Sequence, residues 1–281
     1  MDSAMLAFLA APFVASLILT GIHAYLGVHV VERGVIFVDL SLAQSAALGA
    51  AVAILLPISG GDPHGPIVYW ISLGFTFIGA AVFSTIRGQR ARIPQEAIIG
   101  ICYAVASAAA ILAMSKATSE SEHLKDMLVG NILAVSWSEV GKTAALYGGI
   151  GAFHYIFRRQ FLAISMDHDR AAASGLSVRF WDFLFYASFG FVVTSSVAIA
   201  GVLLVFCYLI VPSVAAMLYA DSIGKRLAIG WTMGTIVSAL GVYLSLVLDL
   251  PTGATIVCTF GLALILMAGV RPLVRRQPAE G

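Results

Sequence analysis

Long apolar runs recur along the whole chain, and they restrict its fold more than any other feature. A helix that crosses a bilayer needs about 20 mostly apolar residues, and its backbone polar groups must be satisfied internally. The runs of that length are 5–27, 34–57, 66–86, 95–115, 137–156, 180–199, 202–220, 226–248 and 252–270. The sequence therefore predicts an all-α, polytopic membrane helix bundle with about nine transmembrane helices.

The separation of the sixth and seventh spans depends on one residue. Gly201 is the only interruption in the apolar stretch 180–220. That stretch is about twice as long as one crossing at a rise of about 1.5 Å per residue, so it needs a turn. We place the turn at Gly201, and a total of eight helices remains the alternative.

Composition excludes several classes of protein. Of the 281 residues, 60% are hydrophobic and 11% are charged, whereas soluble domains carry about 25% charged residues. A soluble chain of this length could not bury so much apolar surface. The net charge of +1 and the lack of a Lys/Arg-rich run exclude a nucleic-acid partner. We expect a single transmembrane domain over residues 1–281.

The distribution of basic residues predicts the orientation in the membrane. With the N-terminus outside, 13 of the 16 Lys and Arg residues fall in inner loops or in the C-terminal tail. The other three, Lys116, Lys125 and Lys142, fall in outer segments. Because inner loops are enriched in Lys and Arg, the N-terminus is predicted outside and the C-terminus in the cytoplasm.

The largest inner loop, residues 165–180, has the pattern of a short capped helix. Asp167 or Asp169 can cap its N-terminus, and Gly175 can end it in the left-handed conformation. One interpretation is a connecting helix on the bilayer surface. The other is a docking element for a cytoplasmic partner, and the residues alone favour neither.

A second segment, His123–Glu139 on the outer side, is too polar to span and too apolar to lie free in water. Trp137 suits the level of the lipid headgroups. The segment is predicted to form an interfacial helix or a plug near the outer mouth.

Asp39 is the clearest ionisable residue at membrane depth. A charge inside a span costs at least about 2.5–3.5 kcal/mol, so it needs a reason. Asp39 could reach the inner surface or pair with Arg33, or it could line a translocation path. Gln44 is rotated by about 140° from Asp39 on a regular helix, and Ser41 lies on the Gln44 side.

Other polar residues have simpler explanations. Glu96 and Asp182 lie near helix N-termini, where the helix dipole favours carboxylates. Pro212 is predicted to break the seventh span and free carbonyl groups. The buried histidines His23, His29 and His154 are expected to be packing residues. No convergent catalytic groups are visible, so the chain is not predicted to be an enzyme.

The chain holds 27 glycines, and most are expected to permit close helix packing. Gly230 and Gly234 form a GxxxG pattern in the eighth span. Gly148, Gly149 and Gly151 cluster in the fifth span.

Five segments of the chain resemble, in this order, segments of one transporter family: 31–49, 127–136, 167–175, 201–216 and 250–257. The third contains Asp167-His-Asp-Arg-Ala-Ala-Ala-Ser-Gly175, and the second contains Leu-Val-Gly-Asn-Ile-Leu-Ala-Val-Ser. Together they resemble the membrane permease subunit of the zinc/manganese/iron type of ABC importer. The resemblance runs from about residue 10 to residue 270.

This resemblance implies a permease of the bacterial plasma (inner) membrane, dimeric with itself or with a homologous chain. Two cytoplasmic ATPase subunits would dock on the coupling loops, here at Asp167, Ala171 and Gly175. An extracytoplasmic solute-binding protein would deliver the metal, and ATP would be bound by the partner. No resident cofactor is implied, and the chain would provide only the path and the docking surface.

The second span departs from the family pattern, which usually has an Asp and, four residues later, a His. Aligned on Gly49, Leu40 falls in the Asp column and Gln44 in the His column, with Asp39 one residue early. The candidate path residues are therefore Asp39, Gln44 and Ser41, with Asp39 as the metal ligand. Carboxylate and amide oxygens suit manganese or iron better than zinc. The alternatives are an ABC permease for a metal chelate or other small solute, and a non-ABC membrane transporter.

Overall fold

Every regular element in the described part of the chain is helical, which confirms the all-α prediction. The computed structural model describes residues 3–59, 65–86, 94–115 and 132–275, and it has no strand in those ranges. The α-helices there are α1 (Ser3–Glu32), α2 (Val38–Leu55), α3 (Pro66–Ile86), α4 (Gln95–Met114), α5 (Trp137–Ile156), α6 (Arg158–Met166), α7 (His168–Ala173), α8 (Val178–Ala200), α9 (Val202–Met217), α10 (Ile223–Leu248) and α11 (Thr252–Arg275). Short 3-10 turns cover Pro57–Ser59 and Ile132–Ala134.

Seven of these helices are long and apolar enough to cross a membrane: α1, α2, α3, α4, α8, α10 and α11. The predicted number of about nine is therefore not confirmed for the described residues. Helix α9 is apolar, but it ends at Met217 and so has only 16 residues, fewer than any of these seven helices. Helix α5 has 20 residues, and Glu139, Lys142 and His154 reduce its apolar character.

The helix break predicted at Gly201 is present in the structure. Helix α8 ends at Ala200 and helix α9 begins at Val202, with Gly201 between them at φ +76°. Glycine adopts this backbone conformation without the steric cost that a Cβ atom brings. One residue thus ends one helix and allows the next to begin immediately.

Pro212 does not break its helix, so that prediction was wrong. Helix α9 continues through Pro212 to Met217. Proline has no N–H to donate to the carbonyl four residues earlier. The Ser213 hydroxyl next to it donates to the Leu209 carbonyl at 2.9 Å and to the Ala24 carbonyl at 3.3 Å. Pro212 leaves the Tyr208 carbonyl without that donor, yet the helix continues on both sides of it.

The chain divides into two compact units. The first comprises Met1–Val31, Val129–Ala145 and Ile199–Gly281, and the second comprises Glu32–Leu128 and Leu146–Ala198. The first unit therefore holds most of α1 together with α9, α10 and α11, and the second holds α2, α3, α4 and most of α8.

In the first unit, glycines permit close approach between α1, α9 and α10. A Cβ atom on Gly27 would overlap the Leu209 carbonyl oxygen, and one on Gly234 would overlap the Thr20 side chain. A Cβ atom on Gly230 would lie 3.4 Å from the Pro212 carbonyl oxygen. The packing expected for Gly230 and Gly234 is thus confirmed.

In the second unit, α2 packs against both α3 and α4. A Cβ atom on Gly49 would lie 2.7 Å from the Cα atom of Ser72 in α3, so the two backbones nearly touch. Helices α3 and α8 are joined by the hydroxyls of Thr76 and Thr194, which lie 3.1 Å apart.

The three glycines of α5 differ from these packed glycines. A Cβ atom added to Gly148, Gly149 or Gly151 would meet no atom within 4 Å in the described structure. Close packing within the described chain therefore does not explain them, contrary to expectation.

Candidate functional site

Asp39 is buried and lacks a hydrogen-bond partner. It is the second residue of α2, and only 1% of its surface is exposed. Neither of its carboxylate oxygens has a hydrogen-bond partner within the described part of the chain. A buried polar group without a partner costs free energy, and the cost is larger for a charged group. Such a group needs a specific explanation, and a binding role is one.

The two structural explanations for Asp39 were both wrong. At 1% exposure, Asp39 does not reach the surface of the described structure. Arg33 pairs with Asp182 instead: its Nη1 atom lies 2.6 Å from an Asp182 carboxylate oxygen. The residues of this ion pair are 149 positions apart, so no local pattern in the sequence could have indicated it.

The ion pair changes the explanation for Asp182. The residue is fifth in α8 and fully buried, and its carboxylate forms an ion pair with Arg33, which a helix N-terminus alone does not predict. Glu96 lies in the first turn of α4, as expected, but it also accepts a hydrogen bond from the Phe37 N–H at 3.1 Å. Phe37 precedes α2, so Glu96 satisfies a backbone donor at the start of that helix.

Ser41 and Gln44 are buried on α2 with Asp39, but the structure does not bring them to Asp39. The Ser41 hydroxyl has no hydrogen-bond partner among the described residues, and Gln44 is 8% exposed. Helix α2 is continuous from Val38 to Leu55, so Asp39 and Gln44 lie on different sides of it, as predicted from the sequence. A path that used both Asp39 and Gln44 would have to extend around the helix.

The described residues contain no cluster of three or more His, Cys, Asp or Glu side chains that could hold a metal ion. The polar side chains of α2 itself offer oxygen donors, and Asp39 is the one carboxylate of that helix. Oxygen donors suit hard cations such as manganese, whereas zinc favours nitrogen and sulfur ligands.

The predicted short helix of the inner loop is confirmed as α7. The Asp167 carboxylate accepts the Arg170 N–H at 3.0 Å, so Asp167 is the N-cap and Asp169 is not. Gly175, at φ +85°, donates to the Ala172 carbonyl at 3.1 Å. The Leu176 N–H donates to the carbonyl of the buried Ala171 at 3.3 Å, which completes a Schellman motif.

The buried histidines occupy packed positions, as expected. The Nδ1 atom of His23 lies 2.8 Å from the Leu19 carbonyl oxygen. His154 lies 2.8 Å from the Ser188 hydroxyl and stacks on Phe161 with ring centroids 4.3 Å apart. His29 is 1% exposed and contacts another aromatic ring edge-on.

Part of the predicted outer segment lies outside the described residues, namely 123–131, and so do Lys116 and Lys125. The interfacial helix or plug therefore stays a prediction. In the described part, Ser136 and Glu139 form a capping box at the start of α5. The Glu139 carboxylate accepts the Ser136 N–H at 2.8 Å, and the Ser136 hydroxyl accepts the Glu139 N–H at 3.3 Å.

Comparison with known proteins identifies the family. The chain is 31% identical over 202 residues to the "Manganese transport system membrane protein MntC" of Listeria innocua, covering 69% of this chain and 71% of that protein. It is 27% identical to the "Chelated iron transport system membrane protein YfeC" of Yersinia pestis, covering 86% and 79%. The solved structure "PsaBC from Streptococcus pneumoniae in complex with Fab" superposes with a TM-score of 0.79 at 25% identity, covering 96% of this chain and 94% of that one.

A sequence model of the ABC 3 transport family matches residues 5–270. This match covers nearly the whole chain and confirms the resemblance carried by the five segments. With its seven apolar helices and this match, the protein is a multi-pass membrane transport component. The chain belongs to the ABC 3 transport family.

Proposed function

We propose that this chain is the permease subunit of an ABC importer for a divalent metal ion, with manganese or iron as the substrate. The observation that carries the proposal is the family match over residues 5–270, together with relatives named for manganese and iron transport. ATP is bound and hydrolysed by a separate ATPase, and an extracytoplasmic solute-binding protein delivers the metal.

In this proposal, Asp39 provides the charged ligand of the translocation path. Its support is a fully buried carboxylate without a hydrogen-bond partner among the described residues, on a helix that can span the membrane. A passing cation would compensate the charge that the protein leaves uncompensated. Ser41 and Gln44 provide neutral oxygens on the other side of α2.

The direct test is uptake of radioactive manganese by cells that depend on this chain. We expect deletion of the chain to abolish saturable uptake and the wild-type chain to restore it. Competition by unlabelled manganese, iron and zinc would rank the substrates. If deletion leaves the uptake of labelled manganese unchanged, and labelled iron and zinc give the same result, the metal-importer proposal fails.

We further propose that α7, with Asp167, Ala171 and Gly175, docks the ATPase. The support is a helix with both ends capped, followed directly by the exposed residues Ser174 and Gly175. Gly175→Pro cannot adopt φ +85° and removes the N–H that bonds Ala172, so the ATPase should no longer co-purify with the tagged chain. Gly175→Asn is the matched control, because asparagine tolerates the left-handed conformation. Retention of the ATPase by Gly175→Pro would contradict the docking role.

The membrane arrangement belongs to the same proposal. Nine crossings follow if α5 and α9 cross in addition to the seven helices that are both long and apolar enough to do so. The basic residues then place the N-terminus outside and the C-terminus in the cytoplasm of a bacterial inner membrane. Residues 1–281 would act as one permease domain, paired with a second copy or a homologous chain.

A metal chelate is the second candidate substrate. Two observations favour it: the second span lacks the Asp/His pair of the family, and the relative YfeC is named for chelated iron transport. Adding a strong chelator to the uptake assay distinguishes the two substrates. Uptake of free manganese should fall when the metal is chelated, whereas a chelate permease should retain uptake or increase it.

A further inference from the structure

Arg33 joins three segments of the second unit through one buried side chain. Its guanidinium donates to the Asp182 carboxylate at 2.6 Å from Nη1 and to the Ser165 hydroxyl at 2.8 Å from Nε. The centre of the guanidinium lies 3.9 Å from the centroid of the Phe185 ring. The charged side chains of Arg33 and Asp182 are 0% and 1% exposed. These contacts use the planar, multiply donating geometry of arginine, which lysine lacks.

Ser165 connects this cluster to the docking segment. It is the penultimate residue of α6, and Asp167, the N-cap of α7, follows two positions later. Phe161 and Ile164 of α6 are fully buried, so α6 is fixed by packing as well as by its hydrogen bond to Arg33. A displacement of α7 therefore acts directly on the partner of the Arg33 Nε atom.

Arg33 also connects the cluster to α2. Only the segment Gly34–Phe37 separates Arg33 from the start of α2, and Asp39 is six residues after Arg33. Gly34 lies at φ +67°, which makes this connection a tight turn. The Phe37 N–H is held by Glu96, so the end of the connection is also fixed. The start of α2 is therefore fixed on one side to Arg33 and on the other to α4.

We propose that Arg33 is a positioning residue that links the ATPase-docking segment to the helix that carries Asp39. The contact between Arg33 and Ser165 transmits a displacement of α7 to α2, and the ion pair with Asp182 provides the fixed point on α8. This inference rests on the proposed function, because it requires an ATPase at α7 and a substrate path along α2.

The test measures the manganese ions transported per ATP hydrolysed. The permease is purified with its co-purifying ATPase, reconstituted in vesicles and supplied with its solute-binding protein. Ser165→Ala removes the contact between α6 and Arg33 but retains the ion pair with Asp182. We expect basal ATP hydrolysis to be unchanged and the transport ratio to fall by at least about fivefold, the lower range for coupling between linked sites. Arg33→Lys, which keeps the charge but not the forked geometry, should lower the ratio in the same way.

Ser188→Ala is the matched control, since it also removes a buried hydroxyl that bonds a side-chain nitrogen, in that case of His154. It should leave the transport ratio unchanged. An equal fall in Ser188→Ala would indicate a general loss of structure and overturn the inference. An unchanged ratio in both Ser165→Ala and Arg33→Lys would overturn it while the proposed function stands. If the wild-type complex shows no ATP-dependent manganese uptake, the proposed function and the inference fail together.

Discussion

Two buried carboxylates in the second unit differ in what surrounds them. Asp182 in α8 is bonded to Arg33 at 2.6 Å, within a cluster that includes the Ser165 hydroxyl and the Phe185 ring. Asp39 in α2 is equally buried, and neither of its oxygens has a hydrogen-bond partner in the described structure. The Asp182 carboxylate is paired within the fold, whereas the Asp39 carboxylate has no hydrogen-bond partner among the described residues.

The difference shows that burial alone does not reveal whether an acid is paired within the fold. A paired buried charge is retained because removal of one partner leaves the other uncompensated. A buried carboxylate without a partner compensates no other charge in the fold, so its presence in a membrane span indicates another role. Substitution of Asp182 should therefore lower the stability of the fold, whereas substitution of Asp39 should lower transport without a loss of stability.

The largest effect on stability is expected for Asp182→Ala. The substitution leaves the Arg33 guanidinium buried without its carboxylate, which typically costs about 3–5 kcal/mol. We expect a large loss of folded protein, measured by thermal unfolding in detergent followed by size-exclusion chromatography. Asp39→Ala is the comparison and should unfold no earlier than the wild type. An equal loss of stability in both variants would contradict the distinction.

Asp39→Asn should give the largest effect on transport in protein that remains folded. If Asp39 is the ligand that we propose, its substitution should lower manganese uptake at least about tenfold, as even substitution of groups that support metal ligands costs about 10–100-fold. The thermal midpoint should be unchanged or higher, because a buried charge without a hydrogen-bond partner is replaced by a neutral group. Ser45→Ala on the same helix is the control, because the Ser45 hydroxyl bonds the Ser41 carbonyl within α2. Wild-type uptake by Asp39→Asn would remove Asp39 from the path.

Asp167→Ala extends the comparison to an exposed acid. Its carboxylate caps α7, and loss of an N-cap costs about 0.5–2 kcal/mol of local helix stability. We expect normal folding of the whole chain and weaker retention of the ATPase during purification. Asp167→Asn also caps helices well and should retain the ATPase. If the two variants retain the ATPase equally, the cap is not required for docking.

Gln44→Ala should have the smallest effect of the four. Gln44 lies on the other side of α2 from Asp39, and a neutral polar contact contributes about 0.5–1.5 kcal/mol net. Manganese uptake should therefore fall by less than about tenfold, measured beside Asp39→Asn in the same vesicles. A loss as large as that of Asp39→Asn would indicate that the path extends around α2 and depends on both residues.

Local features of the fold were predictable because they depend on residues close in sequence. The apolar runs located the long helices, and Gly201 marked the one break in an apolar stretch. Asp167 and Gly175 indicated both ends of α7, since helix caps need particular side chains and backbone angles. The prediction for Pro212 was wrong because α9 continues through it to Met217: a proline inside a membrane helix removes one backbone hydrogen bond without always ending the helix.

The partners of buried charges were not predictable in the same way. Arg33 had a nearby acid in Asp39, yet it pairs with Asp182, which packing brings from 149 positions away. The absence of a hydrogen-bond partner for Asp39 is likewise a property of tertiary packing within the described structure. The role of Asp39 could be suggested from its depth in a span, but its separation from Arg33 required the structure.

The glycines of this chain fall into two groups: at some, contacts within the fold leave no room for a side chain, and at others the described structure leaves room. At Gly27, even an added methyl group would overlap the Leu209 carbonyl oxygen, so intolerance of alanine there reports on the fold itself. At Gly148, Gly149 and Gly151, an added methyl group meets no atom of the described structure within 4 Å. Intolerance of alanine at those three positions would therefore originate outside the residues that the structure describes, for example in contacts with lipid or another subunit.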